Sequence, residues 1–240
     1  SFIQDMPNDD AYGIRYRRSG DLIAGVFKRG TVQQLQAGFA VPDFPLWTAL
    51  EQENTAFWKQ YWEKIPSMKL DNPRLEEIYF DGLYRFGCMT APDGAVPGLQ
   101  GPWLEDDKLP PWSGDYHFNI NIQMCHWPAC RANHPESLKP LFDMVWSWRE
   151  QLRKNAEFFA GIRDGYMLPH AVDDRCKCMG GFWTGTVDHA SAAWIAQMMY
   201  AYVQYSGDTE FLKDIAFPFM KGVMRVYEEQ LEKVNGKYSL

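Results

Sequence analysis

The sequence predicts a mainly α fold, with about six helices paired as hairpins behind a short β segment. Three observations carry this. After Leu46, apolar residues recur at three- and four-residue spacing over most of the chain. Alternating runs punctuated by turn residues occupy residues 11 to 41. Two segments rich in Gly, Pro and aromatic residues, 97 to 114 and 165 to 186, interrupt the helical pattern between successive hairpins.

In chain order, Tyr12, Ile14 and Tyr16 alternate with small or basic residues, Arg18 to Asp21 signals a turn, and Leu22 to Phe27 is a short apolar run. Residues 11 to 41 therefore read as strands and turns, the end of a β-rich unit, and Val41 to Pro45 breaks any continuing element. Residues 1–44 are assigned to the end of a β-rich domain and its linker, and 45–240 to a helical domain. Trp47, Leu50, Phe57, Trp58, Tyr61, Trp62 and Ile65 mark a first helix ending near Pro66. A second is expected from about Asn72 to Cys88, with Leu75, Ile78, Tyr79, Leu83 and Phe86 as its buried stripe. A third begins near Asn121 to Met124 and carries Cys125, Trp127, Cys130 and Ala132. A fourth, long helix starts at Pro135 and runs past Phe159 to Gly161. Two more occupy about 187–205 and 209–233, separated by the capped turn Ser206-Gly207-Asp208. Helices that alternate in direction put every second loop at the same end, so both Gly/Pro-rich loops are expected to face one cavity.

Composition excludes several partners. The 24 Lys and Arg against 31 Asp and Glu give a formal charge of −7, with no basic run to attract nucleic acid or an anionic membrane. No stretch approaches the roughly 20 apolar residues a membrane helix needs. The spacing of Cys125, His126, Cys130 and His134 fits none of the usual zinc patterns, and Cys176-Lys-Cys178 is not the CxxC of thiol oxidoreductases. No cofactor or metal is expected, and nothing in the sequence speaks to an oligomeric state.

The chemistry concentrates in residues 97 to 128. Gly and Pro make the first half a loop, and Trp103, Trp112 and Tyr116 make it too aromatic for disorder. His117, Asn119, Asn121 and Gln123 then alternate with Phe118, Ile120, Ile122 and Met124, which puts the polar groups on one side of an extended segment. Amides and imidazole beside aromatic rings suit a carbohydrate: the hydroxyls want paired hydrogen-bonding partners, and the C–H faces of the ring want an aromatic platform. The same residues also fit a plain structural reading, in which Asn121 caps the third helix and Asn119 bonds the backbone.

Tyr79 to Gly82, Leu99-Gln-Gly-Pro-Trp103, Pro110-Pro-Trp112, Tyr116, Asn119-Ile-Asn121, His126-Trp-Pro-Ala129 and Tyr205-Ser-Gly-Asp-Thr-Glu-Phe211 together resemble the catalytic domain of glycoside hydrolase family 95, the inverting α-L-fucosidases, with α-L-galactosidases among its relatives. The resemblance spans about residues 45 to 238. It implies an (α/α)6 toroid of the six-hairpin glycosidase type preceded by a β-sandwich. Six helices are half of the toroid's twelve, so a fragment of a larger enzyme, or a drastically shortened member, is expected. The resemblance further implies that Asn119 and Asn121 position the attacking water and that His117 binds the sugar. It places the glutamic acid that protonates the leaving oxygen, and the aspartate that serves as base, beyond residue 240. An inverting site holds its two carboxyls about 6.5–9.5 Å apart to admit a water. Two amide oxygens can accept that water's protons and aim its lone pair at the anomeric carbon. Secretion or a periplasmic home follows as an expectation from glycan breakdown.

The chain departs from the family in its second loop, which reads Pro169-His-Ala-Val-Asp-Asp174 followed by Arg-Cys-Lys-Cys, and at Gln123, where an acidic residue is frequent. The sugar is therefore written as α-linked L-fucose or a relative. The substrate-binding set comprises His117, Trp103, Trp112, Gln123, His170, Asp173, Asp174 and Trp183, with Asn119 and Asn121 as the catalytic pair. Besides the inverting glycosidase, two readings stay open: a non-catalytic carbohydrate-binding or scaffolding remnant of the same fold, and another six-hairpin glycosidase such as an α-L-rhamnosidase.

Overall fold

The computed structural model describes residues 1–41, 43, 47–105, 107–179 and 188–239. The chain divides into two compact units, Ser1–Gln60 and Tyr61–Leu240.

The first unit is a three-stranded antiparallel meander, β1 (Phe2–Gln4), β2 (Ala11–Ser19) and β3 (Leu22–Gly30), in the order β1-β2-β3. Gly20, at φ 60, turns the β2–β3 hairpin, in which Ser19 faces Leu22. Residues 31 to 36 are not the strand or turn expected. Thr31 and Gln34 form a reciprocal capping box that starts a short helix, α1 (Val32–Gln36), whose Leu35 is buried. The helix α2 (Trp47–Lys64) begins in this unit and runs into the second.

The second unit is helical. Pro73 at the first position and the Asn72 side chain, which accepts from the Arg74 N–H, start α3 (Pro73–Met89). Of its expected stripe, Leu83 and Phe86 are buried while Leu75 and Ile78 are exposed, so only the C-terminal half of the helix packs. The third helix is shorter than expected. α4 (Asn121–His126) stops because Pro128 has no N–H to give to the Met124 carbonyl, and turns through Asn133 carry Cys130 and Ala132. The long fourth helix is interrupted: a 3₁₀ turn (Pro135–Leu138) leads into α5 (Lys139–Ser147) and α6 (Arg149–Ala160), with Trp148 out of helical geometry between them. Gly161 ends α6 in the left-handed conformation.

α7 (Ala190–Ser206) ends at Gly207. Asp208 accepts from the Phe211 N–H and opens α8 (Thr209–Phe211), which passes through a π turn (Leu212–Ala216) into α9 (Phe217–Gln230). The last helix does not extend to 233. Glu232–Val234 and Lys237–Ser239 instead pair as a hairpin, with Asn235 (φ 50) and Gly236 (φ 79) as the Asn-Gly turn that matches strand twist.

The core lies among α5, α6, α7 and α9. Phe142, Leu141, Val145, Leu152, Ile195, Met199 and Phe219 are buried, and the Phe142, Tyr202 and Phe211 rings pack together at centroid distances of 5.0 to 5.7 Å. Gly222 is a close-approach glycine. The Tyr166 N–H bonds its carbonyl at 2.9 Å, and a Cβ at this position would sit 2.2 Å from the Tyr166 ring.

Candidate active site

The two Gly/Pro-rich loops meet in a short antiparallel ladder. β4 (Tyr116–His117) pairs with β5 (Ala171–Val172), Tyr116 opposite Val172 and His117 opposite Ala171. The ladder continues on both sides: the Phe118 N–H donates to the His170 carbonyl at 2.6 Å, and the Met179 N–H donates to the Ala171 carbonyl at 2.9 Å. The break at Trp148 serves this junction. Its indole N–H donates to the Asp174 carbonyl at 3.1 Å, while the rings of Tyr116 and Phe118 pack against it at 6.0 and 6.1 Å.

Each loop is folded by its own chemistry. In the first, Trp112, Ser113 and Gly114 are consecutively left-handed (φ 55, 59 and 63) and turn the chain into Asp115, whose carbonyl accepts from the Leu99 N–H at 3.0 Å. A non-glycine residue in that region costs about 1–3 kcal/mol, a strain typical of ligand sites. In the second, the Asp173 carboxylate accepts from the N–H groups of Arg175 (2.9 Å) and Lys177 (2.8 Å), closing a tight turn that carries Cys176 at φ 59.

Around β4 the side chains form a row of acids and imidazoles. The Asp115 carboxylate bonds His117 Nδ1, and both side chains are nearly enclosed, 6% and 8% exposed. The His117 ring meets that of His170 edge-on at 4.9 Å, and His170 Nδ1 lies 3.4 Å from Asp188 Oδ2. Burial, reinforced by the His117 ring, holds the His170 pKa below the usual histidine value. Asp188 also accepts from the Ala190 and Ser191 N–H groups, at 2.8 and 3.1 Å, at the start of α7. The Trp112 ring leans over His117 at 5.5 Å and is itself 62% exposed.

The run from His117 to Met124 is not one extended segment. It is strand through His117, turn through Ile120 and helix from Asn121: Phe118 and Ile122 are buried while Ile120 between them is exposed, which a strand, with i, i+2 and i+4 on one face, does not give. The amides part company accordingly. Gln123 is fully buried; its amide N–H donates to the Phe118 carbonyl, which also accepts from the Ser191 hydroxyl at 3.1 Å. Gln123 thus presents no atom to a ligand. Asn119 is exposed and Asn121 half-buried, and neither side chain makes a hydrogen bond among the described residues. Ile120, not Asn121, is the N-cap of α4, and no side chain caps it.

Beside the ladder, a cleft of 370 Å³ is lined by Gly101, Leu104, Gly114, Asp115, Asp173 and Asp174, among others. Asp174 is half-exposed there, and Arg175 Nε lies 3.8 Å from its carboxylate. Trp103 is half-exposed on the same loop, its ring 3.1 Å from where a Gly101 side chain would begin. Trp183 lies outside the described residues. Sequence reasoning missed the pairing of Asp115 with His117 and the parts played by Asp188 and Ser191. A signal existed for one: Asp188 three residues before Ser191 at a helix start is a capping pattern.

The solved structure titled "Putative kojibiose phosphorylase from human microbiome" superposes with a TM-score of 0.71 at 13% identity, covering 98% of this chain and 36% of that one, which establishes the fold as part of an (α/α)6 toroid. "Probable alpha-fucosidase A" of Aspergillus niger is 31% identical over 165 residues, 68% of this chain and 21% of its own length. "Alpha-L-fucosidase 2" of Arabidopsis thaliana is 31% identical over 169 residues, 67% of this chain and 19% of its own. The chain thus spans about a fifth of the length of these relatives. Residues 28–240 match the model of the glycosyl hydrolase family 95 catalytic domain, and the chain belongs to that family.

Proposed function

We propose that this chain supplies the water-positioning and sugar-binding side of a glycoside hydrolase that cleaves α-linked L-fucose, or a closely related sugar, with inversion. Residues 1–44 are then the end of a β-rich domain and its linker, and 45–240 the N-terminal half of the toroid. The observation that carries the reading is the contrast at the ladder. Among the described residues, Asn119 and Asn121 make no side-chain hydrogen bond, on a peptide clamped at Phe118 by His170, Gln123 and Ser191. Two such amide oxygens accept the protons of a water and aim its lone pair. His117 and Trp112 hold the sugar, and Trp103, His170 and Asp174 border the site, while Asp173 shapes the second loop. Gln123 supports the backbone from beneath. The proton donor and final base lie outside residues 1–240, and the enzyme is secreted or periplasmic. No helix among the described residues is long and apolar enough to cross a membrane.

The test is calorimetric titration of this chain with L-fucose, L-galactose, L-rhamnose and D-galactose. Binding of L-fucose or L-galactose that is lost in Asn119→Ala supports the reading; tighter binding of L-rhamnose moves the assignment to a rhamnosidase-like enzyme. One observation favours a binding-only role for residues 1–240 taken alone. Asp115, Asp173 and Asp188 each already accept from a histidine or from backbone N–H groups, so their carboxylates are engaged within the protein. The isolated chain is expected to bind without hydrolysing an aryl α-L-fucoside.

A further inference from the structure

We infer that Asp115 is a positioning residue: it fixes His117 in one tautomer and so makes His117 Nε2 a hydrogen-bond acceptor for a sugar hydroxyl. This rests on the reading of the ladder as a sugar site, and it adds the polarity of the contact that selects the sugar.

The steps are chemical. A carboxylate only accepts hydrogen bonds, so the contact between Asp115 and His117 Nδ1 places the ring proton on Nδ1. A neutral imidazole carries one N–H, which leaves Nε2 with a free lone pair. Among the described residues no group bonds Nε2. The ring has little freedom to turn over and exchange its nitrogens. His170 meets it edge-on at 4.9 Å, Trp112 leans on it at 5.5 Å, and the ladder fixes its backbone opposite Ala171. The partner that suits Nε2 is then a hydroxyl donating its proton. A site built to accept from a hydroxyl rejects the deoxy or O-methyl analogue strongly, because a buried acceptor is left unpaired. The neighbouring Asn119 and Asn121 amides offer both donors and acceptors, so among these side chains His117 alone imposes a direction on the hydroxyl it meets.

Long-range proton–nitrogen correlation of the chain labelled with ¹⁵N-histidine reads the tautomer directly, with His117→Gln assigning the signals. The expected result is a His117 ring with pyrrole-type Nδ1 and pyridine-type Nε2 at neutral pH. Asp115→Asn, whose amide can donate as well as accept, should mix or reverse that pattern; Asp115→Ser serves the same purpose if the asparagine variant does not fold. A wild-type ring protonated on Nε2, or a pattern that neither variant moves, overturns the inference. In the enzyme that carries this chain, Asp115→Asn should raise KM for an aryl α-L-fucoside roughly tenfold, about one hydrogen bond, with kcat within about threefold. A fall in kcat at constant KM overturns the acceptor role. If the wild-type chain binds no fucose, the proposed function fails, and the nitrogen spectrum still decides whether Asp115 sets the tautomer.

Discussion

Four polar side chains alternate between His117 and Gln123, and they end in two environments. His117 and Gln123 are buried and bonded within the protein, to Asp115 and to the Phe118 carbonyl. Asn119 is exposed and Asn121 half-buried between them, and neither side chain makes a hydrogen bond among the described residues. The outer pair fixes the backbone and the middle pair is left available. An amide that is free on a rigid backbone is pre-positioned for a ligand, whereas an amide that is fully buried serves the fold. Sequence alternation alone put all four on one side and did not separate these roles.

The sharpest way to break the contrast is to remove the middle pair. In the enzyme that carries this chain, Asn119→Ala and Asn121→Ala should each lower kcat by about 10²–10³, the range for losing one preorganised polar group at the reacting centre. The melting temperature should stay within about 2 °C, as expected of a surface side chain that bonds nothing. Activity within about threefold of wild type, or a large loss of stability, would show that these amides belong with Gln123.

Gln123→Ala tests the other half. It removes a buried donor to the Phe118 carbonyl and leaves a cavity, so stability should fall by about 2–4 kcal/mol. The Ser191 hydroxyl still bonds that carbonyl, which keeps the loss short of unfolding. Chemical denaturation measures it. A stable variant that had instead lost fucose binding would return Gln123 to the sugar.

Gly222→Ala probes the core away from the ladder. The added methyl meets the Tyr166 ring at 2.2 Å and should cost about 1–3 kcal/mol through overpacking. Because Tyr166 opens the second loop, the fucose affinity of the folded fraction shows whether the ladder holds when its support shifts. Unchanged affinity means the ladder is fixed locally by Trp148 and Asp173.

How much was legible follows from range. Helices α2, α3, α5, α6, α7 and α9 announce themselves by periodicity over many residues. The Thr31–Gln34 capping box and the Asn235-Gly236 turn are equally local signals, the first inside a stretch that also reads as strand and turn, the second just past the expected helix end at 233. The β4–β5 ladder left no pattern: strands of two residues have no period, and their pairing joins Tyr116 to Val172 across the chain. The site inherits this split. His117, Asn119 and Asn121 stood out as a motif, while Asp188 reaches His170 only once α7 has packed, and nothing near either residue encodes the meeting.

The smallest effect separates the buried from the exposed face by acidity. His126 lies one turn beyond Gln123 on α4, buried, with its Nδ1–H donating to the Ile122 carbonyl at 2.8 Å. Burial holds its pKa below the ordinary value, as it does for His170. An unfolded histidine gains a proton near pH 6.5, whereas these two rings resist it until the pH is lower. Between those values the unfolded state binds more protons, so stability rises with pH there, is complete above about 6.5, and is lost as pH falls through the folded values. Glu136 acts lower still. Burial alone would raise its pKa, but Lys64 at 2.6 Å and His134 at 3.0 Å pull it below the ordinary carboxylate value, so its contribution disappears only in stronger acid. Denaturation midpoints between pH 8 and pH 5 should therefore decline below about 6.5. His126→Gln keeps a polar side chain without the titrating ring and should flatten that decline. A profile as steep as the wild type in this variant, and again in His170→Gln, would assign the acid sensitivity to groups outside the ladder and its supporting helix.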